Sequence, residues 1–526
     1  MIKEKIKKII FAAAKDFSEE VYDFSVEVSG DRNHGDYSTN IALILARKIN
    51  KNPIEVAGLI RDNIGKNNIF KKIDIAGHGF INFYISEKYL LEQLKIVLKE
   101  KNKFGNLNVG KGIKVNAEFI SANPTGPLTL GNGRGGFSGD VLANVLEKAG
   151  YKVSREYYIN DTGAQIIKLG HSIIGDEQAV YKGEYIDKLR KQLKGRNSED
   201  VGKKAVKIIL EKMIKPSVKK MEIKFNTWFS ETTLYKNKEV DKAINELTKK
   251  GFTYESEGAL WFKSKDLGDD KDRVLIRKDG IKTYFASDIA YLKNKFGRGF
   301  GKLIIFLGAD HYGYVARLKA ASHALGFKKE DIDAIVLQLV RLFENGKEVR
   351  MSKRTGLYVT IDELINEVGL DVARFFFLQR SLNTHFNFDM DLAKEKSEKN
   401  PVFKVQYAYA RICSIIRKFG KPQTPNPKPQ IIGLLKESYE LGLIKQIIKF
   451  PEIINDTASD YQLQRLPNYA LELAELFHRF YEKYKVVSED KNLTEARLSL
   501  ISAVKIVLEN TLELMGVSAP KKMIKK

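Results

Sequence analysis

Between Pro124 and Gly136 the chain reads Pro-Thr-Gly-Pro-Leu-Thr-Leu-Gly-Asn-Gly-Arg-Gly-Gly, with five glycines: Gly126, Gly131, Gly133, Gly135 and Gly136. Glycines let a backbone approach a ligand closely, and the free amides and dipole at a helix start favour phosphate. The run lacks the Lys-Ser/Thr ending of a P-loop and the glycine spacing of a dinucleotide fingerprint, so a nucleotide site and a structural turn both stay open. A second segment, Glu348-Val349-Arg350-Met351-Ser352-Lys353-Arg354-Thr355-Gly356, follows an Asn345-Gly346 turn signal and carries three cations and two hydroxyls. Such a loop could clamp a triphosphate and neutralise charge as pyrophosphate leaves. Taken alone, it reads more simply as a solvated basic loop, just as Glu118 alone reads as a solvent-facing strand carboxylate.

The elements that would position these residues are legible as periodicity. Ile113-Lys114-Val115-Asn116-Ala117-Glu118-Phe119-Ile120 has a strand pattern, and Phe137 to Ala149 carries Val141, Leu142, Val145 and Leu146 at helical spacing. Strand, glycine-rich loop and helix make one half of a nucleotide-binding βαβ unit. Residues from about 165 to 280 are charged and mostly helical at first, and look like an insertion between two halves of a sheet. The second half resumes with the buried strand Lys302 to Leu307 and the helix Tyr312 to Leu325. Asp310 and His311 stand between them, at the carboxyl end of that strand, where open α/β sheets bind ligands. From about 390 the pattern is helical, broken by Lys-Pro-Gln-Thr-Pro-Asn-Pro-Lys-Pro-Gln at 421–430. Residues 1 to about 105 mix helix and strand patterns.

Composition narrows the class. With 526 residues, 89 Lys+Arg against 66 Asp+Glu and a formal charge of +23, the chain suits a large globular protein with a polyanionic partner. No apolar run approaches the ~20 residues of a membrane-spanning helix. A single cysteine, Cys413, excludes an internal disulfide framework and a multi-cysteine zinc site and fits a reducing cytoplasm. The seven histidines form no His-x-x-x-His pair, so no protein-held metal is expected.

Together the two segments resemble the two signatures of class I aminoacyl-tRNA synthetases. Thr129-Leu130-Gly131-Asn132 stands where that family has His-x-Gly-His, and Arg350-Met351-Ser352-Lys353-Arg354 where it has Lys-Met-Ser-Lys-Ser. Stretches such as AEFISANPTGP, REYYINDTGAQI, TYFASDIAYLKNKF, LGADHYGYVARLKA, NPVFKVQYAYARI and GVSAPKKM narrow the resemblance to the arginyl family and extend it over essentially the whole chain. Both signature histidines are replaced. Thr129 and Asn132 still offer hydrogen bonds to phosphate oxygens, as in a Thr-x-Gly-Asn version that resembles one used by tryptophanyl relatives. Arg350 keeps the charge of the first lysine as a planar fork, which puts the main burden on Lys353.

The resemblance implies a Rossmann-like α/β catalytic domain over 106–390, with its insertion at about 165–280. It also implies an N-terminal α+β tRNA-binding module over 1–105 and a C-terminal helical anticodon-binding domain over 391–526. It implies ATP-dependent activation of arginine to arginyl-adenylate and transfer to the terminal adenosine of tRNA, with Mg²⁺ accompanying the nucleotide. Thr129, Asn132, Arg350 and Lys353 would be catalytic. Pro124, Gly126, Gly131, His311, Met351, Ser352 and Lys353 would hold ATP, and Tyr407 and Arg411 would bind tRNA. Asp288 would take the guanidinium and Glu118 the substrate ammonium, with Asn123, Tyr284 and Gln165 completing the pocket. A synthetase for another amino acid, or an RNA-binding paralogue without catalysis, motivated by Thr129 and Asn132, stays open. A cytoplasmic monomer is expected.

Overall fold

A computed structural model describes residues 1–17, 23–30, 34–309, 313–349, 359–420, 422 and 427–523. Its centre is a sheet of five parallel strands: β1 (Lys114–Glu118), β2 (Lys152–Ile159), β3 (Thr227–Ser230), β4 (Lys302–Gly308) and β5 (Ile332–Leu337). Their spatial order is β5-β4-β1-β2-β3. The chain steps outward from β1 in one direction to β2 and β3, and in the other to β4 and β5. That reversal between β1 and β4 is a topological switch point, where ligands lodge outside the carboxyl ends of the strands.

The helices that flank this sheet include α1 (Leu130–Lys148), α2 (Ala164–Ile174), α3 (Tyr284–Gly297) and α4 (Tyr314–Leu325). The glycines of α1 serve close packing. A Cβ at Gly136 would lie 2.6 Å from Met221 Cε, and Cβ atoms at Gly133 and Gly139 would overlap Ile361 and Phe119. Only Gly131, at the first turn, faces open space apart from its own cap. Arg134, on the same helix, is fully buried, and it donates to the carbonyls of Gln338 at 2.8 Å, Ser381 at 2.8 Å and Thr384 at 3.0 Å. Burial pushes its guanidinium down to about 10.

The stretch from 165 to 280 is not wholly outside the sheet. After several helices, Thr227–Ser230 returns to it as the edge strand, fixed by Trp228 stacked on Tyr157 at 4.6 Å. An antiparallel meander of Thr253–Ser256, Ala259–Phe262 and Arg273–Ile276 then precedes α3. After β5, Val340–Glu344 and Lys347–Val349 form a hairpin. Its turn residues, Asn345 and Gly346, take the positive φ values of 52° and 69° that this dipeptide favours.

The N-terminal module is a four-stranded antiparallel sheet with the helices Ile2–Ala14, Ile41–Ile49 and Pro53–Ile64. The C-terminal part is a bundle that includes α5 (Pro401–Phe419), α6 (Arg465–Lys483) and α7 (Lys491–Met515). The module docks on the bundle through Lys3–Asp456 at 3.0 Å, Tyr37 donating to Glu452 at 3.1 Å and Lys445–Asp36 at 2.7 Å. Arg374 joins the bundle to the catalytic part. It is almost fully buried, and donates to Asp140 at 2.9 Å, to the Met221 carbonyl at 2.6 Å and to the Met515 carbonyl at 3.3 Å. Among the described residues, no helix is long and apolar enough to cross a membrane.

Candidate active site

One face of α3 carries Tyr284, Asp288, Tyr291 and Lys295, spaced four, three and four residues apart so that they line up along the helix. This face meets the carboxyl ends of β1 and β2. Fully buried Lys295 donates to Glu118, the last residue of β1, and lies 4.2 Å above the Tyr291 ring. The other Glu118 oxygen accepts from Ser121 Oγ at 3.0 Å. One strand over, buried Glu156 accepts from Tyr291, and from both terminal nitrogens of Arg298 at 2.5 and 2.8 Å. Burial would raise the Glu156 carboxyl, but Arg298 and the Lys295 charge hold it below its ordinary range.

Past these two compensated pairs lie carboxylates with no cation of their own among the described residues. Asp288 accepts from the Tyr314 hydroxyl, and Glu231 is 99% buried behind β3, being 1% exposed. In the amide orientation that satisfies both of its ends, Asn160 donates to Glu231 Oε2 at 2.9 Å and to the Thr162 carbonyl at 3.2 Å. Asp161 is held by Ser230 Oγ at 2.5 Å and by Thr232 through its amide at 3.0 Å and hydroxyl at 2.9 Å. Burial, then mutual repulsion with Glu231 and Glu118, raises the Asp288 carboxyl well above its ordinary range. Burial, with Asp161 nearby, pushes Glu231 up to about 7. The slot is therefore a buried acidic recess short of positive charge, matched to a planar cation.

The glycine-rich signature forms the start of α1. Thr129 is the N-cap, and Asn132 Oδ1 accepts from both the Thr129 amide and hydroxyl at 2.9 Å. This pair of bonds fixes the Asn132 amide and leaves Nδ2 as a donor. Thr129 also bridges Thr360, and Leu128 accepts from the Ile361 amide at 3.0 Å. The chain that leaves Val349 thus returns beside the first signature. Arg350, Met351, Ser352 and Lys353 themselves, and His311, lie outside the described residues.

The other expected site residues are placed as follows. Asn123 is exposed, and its carbonyl accepts from the Thr125 amide at 2.7 Å. Pro124 and Gly126 are buried, Gly126 beneath Tyr185, whose hydroxyl donates to the Thr125 carbonyl at 2.9 Å. Tyr284 Oη accepts from the Ala164 amide at 3.2 Å, which sets Gln165, half-buried in the first turn of α2, next to that contact. A cavity of about 750 Å³ opens beside Tyr284, lined also by Thr232, Tyr235, Lys236 and Arg277. Glu118 is already neutralised by Lys295, so a substrate ammonium would have to share its charge. In the bundle, half-buried Tyr407 stacks on Phe403 and on His478, each at 6.0 Å, and exposed Arg411 lies 4.9 Å over Tyr481 and 6.0 Å over Tyr407.

Sequence reasoning missed Lys295, Glu231 and Tyr158, whose hydroxyl is buried among these carboxylates. The helical continuation of Tyr284 and Asp288 to Tyr291 and Lys295 could have revealed Lys295. Glu231 and Tyr158 carry no local signal.

Comparison with known proteins agrees with this geometry. Residues 1–85 match the model of the arginyl tRNA synthetase N-terminal domain, residues 175–381 that of the catalytic domain of class I (R) tRNA synthetases, and residues 405–523 that of the DALR anticodon binding domain. The chain is 44% identical to the arginine–tRNA ligase of Caldanaerobacter subterraneus subsp. tengcongensis over 99% of both chains. It is also 44% identical to the arginine–tRNA ligase of Bacillus subtilis, over 99% of this chain and 98% of that one. Its fold superposes on Thermus thermophilus arginyl-tRNA synthetase with a TM-score of 0.83, covering 99% of this chain and 100% of the other at 21% identity. Full-length identity at this level, on a class I sheet carrying an acidic slot at its switch point, makes the chain a member of the arginyl-tRNA synthetase family.

Proposed function

We infer that the protein ligates arginine to tRNA in two steps, with the chain's own groups aligning substrates and no side chain forming a covalent intermediate. The observation that carries this is the acidic slot: Asp288 and Glu231, without a cation of their own among the described residues, near Glu118 at the carboxyl end of β1. Asp288 takes the guanidinium. Glu118, shared with Lys295, together with Asn123, Tyr284 and Gln165, orients the rest of the amino acid. The arginine carboxylate then attacks the α-phosphorus of ATP and pyrophosphate departs; the ribose hydroxyl of the terminal adenosine next attacks the arginyl carbonyl and AMP leaves. Alignment and charge stabilisation drive both transfers.

The nucleotide lies along the start of α1, against Pro124, Gly126 and Gly131, with Asn132 Nδ2 and the Thr129 cap turned to its phosphates. Lys353, helped by Arg350, neutralises the leaving pyrophosphate, while Met351, Ser352 and His311 border the nucleotide. The return of the chain to Thr129 at Thr360 supports this juxtaposition. Mg²⁺ accompanies ATP, bound to its phosphates, as part of the substrate.

We assign residues 1–105 to the tRNA elbow, 106–390 to catalysis and 391–526 to the anticodon, with Tyr407 and Arg411 stacking on unpaired bases. The working form is a cytoplasmic monomer. Charging of total tRNA with labelled arginine, with lysine as the control, tests the assignment; tRNA must be present throughout. Equal charging with lysine, or none with arginine, rejects it.

A further inference from the structure

The acidic slot holds one polar group that the free protein leaves unused. Tyr158, near the carboxyl end of β2, is 9% exposed, with its ring against Tyr291 at 4.5 Å and Phe229 at 6.2 Å. Its amide donates to Ser121 Oγ at 3.1 Å, the same hydroxyl that donates to Glu118. The Tyr158 hydroxyl is fully buried and makes no hydrogen bond of ordinary geometry among the described residues, although it faces the Glu231 carboxylate closely enough to favour that group's charge, which leaves its acceptor side unfilled. The charges bearing on it are those of Glu231, Asp288 and Glu118, in that order. A buried donor–acceptor without a partner destabilises the folded chain, and such groups persist where a ligand completes them.

We propose that Tyr158 is a specificity-determining residue of the arginine slot, its hydroxyl accepting one guanidinium N–H while turning its own proton to the Glu231 carboxylate. The proposal rests on the reading of Asp288 and Glu231 as the guanidinium site. A guanidinium presents five N–H donors, whereas an ammonium presents three. The carboxylates are already partly engaged, Asp288 by Tyr314 and Glu231 by Asn160, so a neutral acceptor is needed to complete the fork. A lysine in the same slot, with fewer donors, would leave the acceptor side of the Tyr158 hydroxyl empty, which is how a polar site rejects a near-substrate.

Tyr158→Phe tests this cleanly, because it removes one oxygen that makes no hydrogen bond of ordinary geometry in the free protein. The free variant is expected to melt at an unchanged or higher temperature. Its dissociation constant for arginine, measured by calorimetry without tRNA, is expected to rise roughly tenfold, with tRNA affinity unchanged. An arginine constant within about twofold of the unmutated protein's, or a parallel loss of tRNA affinity, overturns the proposal. Asp288→Asn in the same titration separates the two levels. If it too leaves arginine binding unchanged, the slot reading falls; a loss there with none in Tyr158→Phe removes Tyr158 alone.

Discussion

Asp288, which we assign to the guanidinium, shows how its surroundings prepare a single side chain for a cation. Burial and the neighbouring Glu231 and Glu118 make its charge unfavourable in the free protein, and a guanidinium reverses that. Asp288→Ala is expected to weaken arginine binding by roughly a hundredfold or more, with tRNA affinity within about twofold, in parallel titrations. The same electrostatics set a pH dependence. Because Glu231 is raised to about 7, the free slot keeps a proton below that pH, and arginine must displace it. Arginine affinity should therefore fall by up to about tenfold per pH unit below 7 and level off above it, with proton uptake or release read from calorimetry in buffers of different ionisation enthalpy. Stability of the free protein runs the opposite way: the contribution of Glu231 is full below the ordinary carboxylate range and is lost as pH rises to about 7. A flat arginine affinity between about pH 6 and 8 would contradict this account. At the bundle, Arg411→Ala should weaken tRNA binding by about 1–3 kcal/mol, the worth of a stacked base, and leave arginine affinity intact.

Elements explain which of these residues could be read beforehand. Strand β4 and the helix after it follow directly from hydrophobic runs, and Asn345-Gly346 marks its hairpin because few dipeptides accept two positive φ values. Strand β3 is harder: Thr227-Trp228-Phe229-Ser230 is short and flanked by charge, so its pairing with β2 is decided by tertiary contacts such as Trp228 on Tyr157. The glycine-rich run announces a helix start near a ligand, but the structure gives most of its glycines a packing role. Gly139→Ala, which would press on Phe119 next to Glu118, is expected to cost about 1–3 kcal/mol of stability in denaturant melts and to raise the arginine KM. Buried Arg134 and Arg374 could not be recognised from sequence, because nothing local distinguishes an arginine that ties carbonyls together from one in solvent.

On the scale of the molecule, the proposed function gives the surplus of positive charge and the slot different ligands, which should respond differently to salt. Between about 50 and 200 mM KCl, tRNA affinity should fall roughly a hundredfold or more through lost counterion release. Arginine affinity should change by less than about threefold, because its partners are buried and weakly screened. Binding isotherms for the two ligands across one salt series check both. The overall architecture and the arginyl resemblance were legible because motifs are spread along the whole chain. The docking of the terminal modules was not, since it depends on pairs such as Tyr37 with Glu452, separated by 415 residues.

The Arg374 junction bears on how the protein matures. Its guanidinium needs the carbonyl of Met515, 141 residues further along the chain. While the polypeptide is still emerging from a ribosome, that acceptor does not yet exist, so the catalytic core must wait, incompletely locked, until α7 has been synthesised and swung into place. Nascent chains halted before α7 should be open to protease at this seam, and the finished enzyme closed.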